Sequence, residues 1–494
     1  MTFIFRNYFT SGCLLVLRAC LPLFIFLVSA RGQDTSKSTS KRRYNVLFIV
    51  ADDFRPELGS YGVKMIKTPN IDKLASRGTR FDNAYTQYPV CNPSRTSFLT
   101  GRYPTQTGVM NNNDYFRAKH PEWVTLPQYF KNNGYLSLRS GKIFHGGIDD
   151  MVSWTEGGEP ANPAITGRGN RLTQEPLRQN APPGDSASVS ARKNTSASDT
   201  IIVLEGNGEN YGDYKAATRA IEFIEKYKDK PFFLAVGFVK PHSPPTAPKK
   251  FFDLYDVNKM ELPVDFGTTP KAPAGHPEIA ISKTNSDLFI GRESPPDLSR
   301  EMKRAYYAST SYMDANVGRV IEALEKNNLE DNTIIVFFGD HGYHLGEKGK
   351  WSKAYSMYEL GLRVPLIVIV PNGKAQASSK VVELIDLYPT LAELCGLARP
   401  DSLEGHSIVP LLKNPEDDWN YPAYSVTGVK NTVAKSVRTK RWHYVEWGEG
   451  TLGNMLFEHP KDPHELKNLA NDSKFAETVL EMKKLLKKMP ASDK

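Results

Sequence analysis

Residues 44–53 read Tyr-Asn-Val-Leu-Phe-Ile-Val-Ala-Asp-Asp, an almost unbroken apolar run that ends in two carboxylates. Such a run is typical of a central strand of a parallel sheet, which is buried on both faces. We therefore predict a strand over residues 44–50. Because α/β sheets place ligands at the carboxyl ends of their strands, Asp52 and Asp53 are candidate site residues. A helix cap followed by a surface charge is the alternative explanation.

Further strands, with helices between them, continue this pattern along the chain. Buried strands are predicted at 135–140, 231–239, 333–338 and 364–370. Apolar residues at helical spacing predict helices over 126–133, 214–227 and 302–324. Strands separated by helices in this way indicate an α/β fold with a doubly wound sheet.

Two of the later strands also end in polar side chains. The strand at 231–239 leads to Lys240 and His242, and the strand at 333–338 leads to Asp340 and His341. Aspartates gathered in one crevice repel one another unless a cation joins them. Three aspartates with hard oxygen atoms favour Ca²⁺ or Mg²⁺ over zinc, which prefers more histidine or cysteine ligands.

A second informative stretch is Pro-Val-Cys-Asn-Pro-Ser-Arg-Thr-Ser-Phe-Leu-Thr-Gly-Arg at 89–102. Because Pro93 donates no backbone hydrogen bond and restricts the residue before it, we expect the first half of this stretch to be extended. Residues 96–99 then read as a short helix closed by Gly101. A cysteine at such a junction gains reactivity from the positive helix N-terminus. A buried structural cysteine is the alternative for Cys91.

The composition is that of an ordinary globular protein. The chain has 494 residues, 40% of them hydrophobic, which is enough for one large domain and a smaller one. The net charge of +8 suits an anionic substrate without identifying one. Basic runs are limited to 41–43 and the C-terminal helix, and the sequence carries no zinc-finger or RNA-binding signature. These observations argue against nucleic acid as a partner.

The first 30 residues predict a secretory signal peptide. Residues 21–28 form an apolar run too short for a membrane span, and Val28-Ser29-Ala30 is a small-residue cleavage pattern. Residues 31–43 then read as a polar tether. A lipoprotein signal ending at Cys20 and an uncleaved anchor are the alternatives. We expect a secreted or periplasmic protein with no stable membrane span after cleavage.

Four cysteines are present, and Cys13 and Cys20 fall in the predicted signal peptide. The mature chain would hold only Cys91 and Cys395, so its fold cannot depend on a disulfide framework. Cys395 lies in an apolar helical segment and is expected to fill the core, with a Cys91–Cys395 bridge as the alternative. Glycosylation sequons at 194–196 and 471–473 matter only in a host that glycosylates.

The character of the sequence changes after about residue 405. Short strands are predicted at 433–438, 442–447 and 455–458, followed by a lysine-rich helix at 474–488. This pattern indicates a small antiparallel subdomain with a helix packed on it. We therefore divide the mature chain into a catalytic domain, 44–404, and a C-terminal subdomain, 405–494. Two long irregular stretches, 146–215 and 243–300, are of the kind that is usually functional or disordered.

Several short motifs accompany the polar strand ends. They are Asp52-Asp53-Phe54-Arg55-Pro56, Cys91-Asn92-Pro93-Ser94-Arg95, Leu99-Thr100-Gly101-Arg102, Pro127-Gln128-Tyr129-Phe130, Gly141-Lys142-Ile143-Phe144-His145, Lys240-Pro241-His242, Asp340-His341-Gly342, Leu345-Gly346-Glu347 and Trp351-Ser352-Lys353. Together they resemble the formylglycine-dependent type I sulfatases over about residues 44–470, and within that family the iduronate-2-sulfatase group. In this family the cysteine of the second motif is converted after translation to formylglycine, and the hydrate of that aldehyde is the nucleophile.

The resemblance implies a fold and a metal. The fold is an alkaline-phosphatase-like sandwich with a large mixed, mostly parallel sheet flanked by helices, plus the small C-terminal antiparallel subdomain. The metal is one Ca²⁺ ion, with Mg²⁺ less favoured. Its implied ligands are Asp52, Asp53, Asp340, His341 and the modified Cys91.

The resemblance also implies roles for the basic side chains. Arg95 and Lys142 would steady the aldehyde hydrate, and His145 would act as the base. His242, Lys353 and Lys142 would bind the sulfate, and His242 would protonate the departing sugar oxygen. Without the motifs, either lysine would be read as a surface residue and His145 as a packed core residue.

The implied activity is hydrolysis of sulfate monoesters on sugars of a sulfated polysaccharide or its oligosaccharides. A 2-O-sulfated uronic acid is the favoured substrate, and a formylglycine-generating or sulfatase-maturing enzyme is the implied partner. Three alternatives stay open at this point. They are a sulfatase for another glycan such as ulvan or carrageenan, a related phosphatase or phosphonate monoester hydrolase, and a catalytically silent polysaccharide-binding protein with an unmodified Cys91.

Overall fold

Strand β1 (Asn45–Asp52) lies in the middle of a seven-stranded sheet. The computed structural model describes residues 43–161, 199–429 and 431–491, which belong to one compact unit. The predicted signal peptide, the tether up to residue 42, the sequon at 194–196, Cys13 and Cys20 lie outside the described residues. Within the described part, no helix has both the length and the apolar character needed to cross a membrane.

The described residues form thirteen strands. In chain order they are β1 (Asn45–Asp52), β2 (Thr79–Tyr85), β3 (Leu136–Gly141), β4 (Ile202–Leu204), β5 (Phe232–Pro241), β6 (Thr246–Pro248), β7 (Thr333–Gly339), β8 (Arg363–Ile369), β9 (Gln376–Glu383), β10 (Ala423–Val429), β11 (Thr432–Arg438), β12 (Trp442–Trp447) and β13 (Asn454–Glu458). The large sheet has the order β3-β5-β1-β7-β8-β2-β9, β10 to β13 form a second sheet in sequence order, and β4 pairs with β6.

The large sheet is mixed and mostly parallel, as predicted. β8 runs antiparallel to both of its neighbours, β7 and β2, whereas the other pairs in the sheet are parallel. The predicted strands at 44–50, 135–140, 231–239, 333–338 and 364–370 correspond to β1, β3, β5, β7 and β8.

The sequence does not predict β2 or β9. β2 reads Thr-Arg-Phe-Asp-Asn-Ala-Tyr, and its pairing with β8 shifts between Phe81 and Ala84. Because of this irregularity, neither a continuous apolar run nor a strict alternation marks the strand.

Helices flank the large sheet. In the described residues they are α1 (Pro69–Ala75), α2 (Cys91–Thr100), α3 (Pro104–Thr107), α4 (Phe116–Lys119), α5 (Leu126–Asn132), α6 (Gly212–Tyr227), α7 (Lys249–Phe252), α8 (Pro296–Lys326), α9 (Glu359–Leu362), α10 (Leu387–Leu394), α11 (Val409–Lys413) and α12 (Ala476–Leu486). The predicted helices at 126–133, 214–227 and 302–324 correspond to α5, α6 and α8. 

Both faces of β1 are buried, which explains its continuous apolar run. Val46, Phe48 and Val50 pack in one core with residues of α2, α5 and α10. Leu47 and Ile49 face a second core on the opposite side, built with residues of α6 and α8. Successive side chains of a strand point to opposite faces, so a strand covered on both sides has apolar residues at every position.

The structure corrects the expected extended conformation at the start of 89–102. α2 begins at Cys91, directly after the extended residue Val90, and includes Pro93 in its first turn. Proline is tolerated there because the first N–H groups of a helix have no acceptor within the helix. The predicted end at Gly101 is confirmed, with this glycine in the left-handed region at a φ of 67°.

The C-terminal region contains an antiparallel four-stranded sheet. β11, β12 and β13 confirm the strands predicted at 433–438, 442–447 and 455–458, and β10 precedes them. α12 packs its buried residues Val479, Met482 and Leu486 on this sheet, in one core with Val437 and Tyr444. The division at residue 405 stays a prediction.

A buried hydrogen-bonded cluster connects this sheet to α9. Oε1 of Glu465 accepts hydrogen bonds from His443 Nδ1 at 2.5 Å and from His459 Nε2 at 3.1 Å. Oε2 of Glu465 accepts the backbone N–H of Glu359 at 2.7 Å, and the Glu359 carboxylate accepts from Arg438 Nε at 3.1 Å. Each of these five side chains is buried, and together they join the C-terminal sheet to α9.

Candidate active site

The carboxyl ends of neighbouring strands supply the acidic residues of the site. β1 lies between β5 and β7, with Asp52 opposite Pro241 and Ala51 opposite Gly339. Asp340 follows β7 directly, and its Oδ1 accepts the backbone N–H of Asp53 at 3.2 Å. The parallel strands therefore bring the three predicted aspartates to one edge of the sheet.

Cys91, the first residue of α2, reaches the same edge. Its Sγ lies 3.2 Å from Asp52 Oδ1 and 3.3 Å from His341 Nε2. Cys91 and Cys395 are both free thiols, so the alternative of a disulfide between them is wrong. Cys395 packs partly buried against the core, as predicted.

The five predicted metal ligands lie together. Ligand atoms of Asp52, Cys91, Asp340 and His341 are all within 4.8 Å of one another, and the four residues are buried. Oδ1 of Asp53 lies 3.6 Å from His341 Nε2. Three carboxylates and one imidazole are a donor set that suits a hard divalent cation. The residues present therefore fit the predicted metal, and its identity stays a prediction.

Arg95 lies one helical turn after Cys91 and is completely buried. Its Nε donates to Asp340 Oδ2 at 2.9 Å, and its Nη1 donates to the carbonyl oxygens of Lys142 at 2.5 Å and Ile143 at 3.0 Å. Its Nη2 is 3.8 Å from Asp52 Oδ1. The guanidinium thus connects α2, β7 and the segment that follows β3.

Two lysines from distant segments of the chain approach the aspartates. Lys142 follows β3 and donates from Nζ to Asp52 Oδ2. Lys353 Nζ lies 2.9 Å from Oδ1 and 3.0 Å from Oδ2 of Asp53. It also lies 3.4 Å from Asp287 Oδ2. The structure therefore places both predicted lysines in the site and shows neither as a surface residue.

The two predicted histidines differ in what the structure shows. His242 Nε2 lies 3.8 Å from Asp53 Oδ2, and Nδ1 lies 2.7 Å from the carbonyl oxygen of Ser243. Because a carbonyl only accepts, Nδ1 carries a proton. His145 is half-buried in the segment after β3, three residues beyond Lys142. Its role as a base stays a prediction.

Burial and neighbouring charges shift the pKa values of the three aspartates in different directions. Burial acts to raise the pKa of Asp52, but Lys142 and the other cations outweigh it and hold that pKa well below its ordinary value. Burial raises the pKa of Asp53 well above its ordinary value, because Lys353 only partly offsets it and the other carboxylates add to it. Burial and then Asp52 raise the pKa of Asp340 to about 7. A divalent cation among these carboxylates would offset their mutual repulsion.

The imidazoles and the thiol are held neutral. Burial, and then Lys353, lower the pKa of His341 to about 3 and hold the pKa of His242 well below its ordinary value. Neutral imidazole is the form that binds metals. Burial and Asp52 raise the pKa of the Cys91 thiol well above its ordinary value, and Lys142 and Lys353 oppose them. The expected gain in thiol reactivity from the helix N-terminus is therefore outweighed in the unmodified residue.

Sequence reasoning misses two contributors. Asp287, which contacts Lys353, lies in the irregular stretch 243–300, where no periodic pattern marks it. Asn112, in the segment between α3 and α4, accepts the backbone N–H of Asn92 on its Oδ1 at 3.1 Å and so caps the start of α2. Its position in the run Asn111-Asn112-Asn113 is the only sequence signal, since asparagine is common in capping and turn positions.

Comparison with known proteins gives matches to two family models. The sulfatase family model matches residues 44–397. The model of the C-terminal region of N-sulphoglucosamine sulphohydrolase matches residues 346–492. Between them the two models cover nearly all of the described residues.

The chain is also similar to curated proteins in sequence and to solved structures in fold. The chain is 36% identical to iduronate 2-sulfatase of Homo sapiens over 417 residues, which are 75% of this chain and 72% of that protein. It is 32% identical to a sulfatase of Formosa agariphila over 499 residues, which are 96% of this chain and 92% of that protein. Among solved structures, the phosphonate monoester hydrolase from Silicibacter pomeroyi superimposes with a TM-score of 0.70 at 21% identity, covering 90% of this chain and 94% of that one.

Proposed function

The chain belongs to the sulfatase family of sulfuric ester hydrolases, and we propose that it removes sulfate from a 2-O-sulfated uronic acid in a sulfated polysaccharide or its oligosaccharides. The observation that carries the proposal is the position of Cys91. It begins α2 with Asp52 and His341 in contact with its sulfur and with Lys142 and Lys353 on the adjoining carboxylates. The likeness to human iduronate 2-sulfatase supports the choice of sugar.

The proposal includes conversion of Cys91 to formylglycine. The hydrate of that aldehyde would supply an oxygen nucleophile at this position, which the neutral thiol does not. Pro93, Ser94 and Arg95 of the motif are buried, so a maturing enzyme would have to read them before the chain folds. A formylglycine-generating or sulfatase-maturing enzyme is therefore part of the proposal.

We assign the metal ligands as predicted, to Asp52, Asp53, Asp340, His341 and the oxygen of the modified residue 91. Ca²⁺ suits this donor set, with Mg²⁺ second. A bound cation would polarise a sulfate oxygen and favour the anionic form of the nucleophile.

The cations of the chain would stabilise the sulfate group and orient it. Lys142 and Lys353 hold two ammonium groups at the aspartates, where they would bind the sulfate oxygens as negative charge redistributes during the reaction. Arg95 positions Asp340 and the backbone that carries Lys142. Fixed cations in a buried site act strongly because they require no reorganisation during the reaction.

We propose that His242 protonates the departing sugar oxygen. Its Nδ1 is bonded to the Ser243 carbonyl, so Nε2 is the atom that would give the proton. Because the free imidazole is neutral, Nε2 would first take that proton from solvent, when the negative charge of the bound sulfate raises the low pKa of His242. The side chain keeps 17% of its surface exposed, whereas Asp52, Asp53 and His341 have almost none. The leaving group would therefore depart on the His242 side. His145 is proposed as the base that takes a proton from the modified residue 91.

The signal peptide that the sequence predicts at 1–30 supports a secreted or periplasmic location, where the protein would reach an extracellular glycan. The test begins with the protein coexpressed with a maturing enzyme, and the Cys91 peptide is examined by mass spectrometry for the lighter formylglycine form. Sulfate release is then measured on a panel of defined oligosaccharides from heparin, ulvan and carrageenan, with a phosphonate monoester as an additional substrate.

The expected result is sulfate release from oligosaccharides that carry a 2-O-sulfated uronic acid. The Cys91→Ala variant should release no sulfate. If sulfate is released only from ulvan or carrageenan fragments, the proposal of a 2-O-sulfated uronic acid as the substrate is wrong. A converted protein that hydrolyses only the phosphonate would overturn the proposal.

A further inference from the structure

Tyr355 is an exposed aromatic side chain close to the candidate site. It exposes 44% of its surface, and Tyr421 exposes 47%. Tyr421 stacks on His406 with 3.8 Å between ring centroids. Within the described residues, Tyr355 takes part in no such ring pair. A single exposed tyrosine is ordinary on a protein surface, so its exposure gains meaning from where the chain places it, two residues after Lys353.

Tyr355 belongs to a tight turn that starts at Lys353. The backbone N–H of Ser356 donates to the Lys353 carbonyl at 3.1 Å, and Lys350 Nζ donates to the Ala354 carbonyl at 2.9 Å. Tyr355 is the third residue of this turn and has a φ of 63°. That position usually holds glycine or asparagine, because bulkier side chains rarely adopt a left-handed conformation. Such outliers concentrate at functional sites, where the surrounding structure maintains them.

The first and last residues of the turn are fixed by burial. Lys353 and Ser356 are buried, and Ser356 Oγ lies 2.7 Å from His344 Nε2. The Lys353 ammonium group reaches Asp53. These contacts hold the backbone of the turn in place. The Lys353 side chain reaches Asp53, and the Tyr355 side chain is exposed to solvent.

Tyr88 connects the segment that precedes α2 to residue 110 and to β10. Burial raises the pKa of the Tyr88 hydroxyl, the hydrogen bond from Gly428 lowers it, and the electrostatic effects of Tyr355 and Asp114 raise it. That hydroxyl donates to the Met110 carbonyl at 2.7 Å. Tyr88 itself precedes Cys91 by three residues.

The segment 110–114 is held on the start of α2 by Asn92. The side-chain amide of Asn92 donates to the carbonyl oxygens of Asn111 at 2.8 Å and Asp114 at 2.7 Å. Asn112 accepts the Asn92 backbone N–H in return. Residues 110–114 thus lie against the start of α2, beside the residue that follows Cys91.

We propose that Tyr355 is the platform on which the pyranose ring of the substrate stacks, and that it determines specificity for the sugar rather than for the sulfate. This inference rests on the proposed function. A pyranose ring presents an apolar C–H face that suits an aromatic ring, while its hydroxyls suit exposed amides such as those of Asn111 and Asn113. Lys353 would hold the sulfate and Tyr355, two residues later, would hold the sugar that carries it.

The test compares Tyr355→Asn with the matched control Tyr421→Asn. Asparagine accepts the left-handed conformation, so Tyr355→Asn removes the ring without distorting the turn, and its melting temperature should equal or exceed that of the wild type. The measured quantities are KM and kcat for sulfate release from a heparin-derived disaccharide with a 2-O-sulfated uronic acid, and the inhibition constant of inorganic sulfate. Both variants are first checked for equal conversion of Cys91.

Loss of one stacking contact should raise KM about 3- to 10-fold in Tyr355→Asn. The inhibition constant of sulfate should stay unchanged, because the ring does not contact the sulfate group. Tyr421→Asn should match the wild type, and Tyr355→Phe, which keeps the ring, should do so closely.

Three results would overturn the inference. An unchanged KM in Tyr355→Asn would show that the ring does not contact the sugar. A parallel rise in KM and in the sulfate inhibition constant would show that Tyr355 acts by positioning Lys353. An equal effect of Tyr421→Asn would show a general surface effect. If the wild type releases sulfate from another sugar of the panel, the comparison is made with that sugar; release from none would overturn the proposed function as well.

Discussion

Replacing Gly237 by alanine tests whether the site depends on the close approach of β3 and β5. Gly141 lies opposite Gly237 in the register of these strands, and the N–H of Lys142 donates to the Gly237 carbonyl at 2.9 Å. A Cβ at position 237 would lie 1.8 Å from the carbonyl oxygen of Lys142 and 2.3 Å from its carbonyl carbon. Ordinary contacts begin at 3.4 Å, so the two strands would have to separate by 3.4 − 1.8 = 1.6 Å.

This displacement would reach the reacting groups directly. The Lys142 carbonyl accepts from Arg95, and the Lys142 ammonium group donates to Asp52. A misplacement of about 1 Å in a positioned catalytic group costs about 10²-fold in rate, and overpacking costs about 1–3 kcal/mol of stability. We therefore expect kcat in Gly237→Ala to fall about 100-fold, with a lower melting temperature.

The matched control is Gly428→Ala in β10, where a Cβ would meet the Tyr88 hydroxyl at an ordinary 3.6 Å. Neither glycine has a left-handed φ, so both substitutions are purely steric. Sulfate-release kinetics and thermal unfolding are measured for both variants, and Gly428→Ala should match the wild type. A Gly237→Ala protein that is destabilised but keeps its kcat would refute the reasoning, because Lys142 would then not depend on this strand contact.

Three further predictions concern the metal, the C-terminal cluster and Arg95. Treatment with EDTA should lower both the melting temperature and sulfate release, and Ca²⁺ should restore them. The reason is that a cation present at 100 times its Kd stabilises the fold by about 2.7 kcal/mol. An unchanged melting temperature would contradict the metal assignment. Burial acts to raise the pKa of Glu465, but His443 and His459 hold it well below its ordinary value of 4.5. Its stabilisation is therefore present above about pH 4.5 and is lost as the pH falls from there through the lower folded-state pKa. Urea unfolding between about pH 5 and pH 2 should accordingly show a smaller loss of stability in Glu465→Gln than in the wild type. Arg95→Lys should lower kcat on the order of 100-fold, since the donors of lysine all lie on one nitrogen and cannot reproduce the planar fork that reaches Asp340 from Nε and two carbonyl groups from Nη1. Kinetics like those of the wild type would show that a single positive charge is sufficient there.

The sequence predicts those parts of the fold whose pattern is local. β1, β5 and β7 are buried on both faces, so each is a continuous apolar run that directly precedes the polar residues of the site. The aspartates and lysines of the site follow from family motifs rather than from periodicity. Their convergence depends on strand order, which no single segment contains.

The parts that sequence reasoning misses depend on contacts between distant segments. β9 pairs along the edge of the sheet with the irregular strand β2, and five of the eight residues in its own sequence, Gln-Ala-Ser-Ser-Lys-Val-Val-Glu, are polar. Asp287 is significant only because its stretch folds onto Lys353. Tyr355 is notable for its φ and exposure, and neither property can be read from the neighbouring residues.

The start of α2 at Cys91 changes how the motif at 91–95 assembles the site. In an extended chain, Cys91 and Arg95 would lie about 13 Å apart, since a strand rises about 3.3 Å per residue. In a helix, residues four apart are neighbours at about 6 Å. Cys91 can therefore contact His341 while Arg95 contacts Asp340, the residue directly before it. Pro93 permits this arrangement because it falls in the first helical turn, so one short segment supplies both the nucleophile precursor and the cation that positions the groups around it.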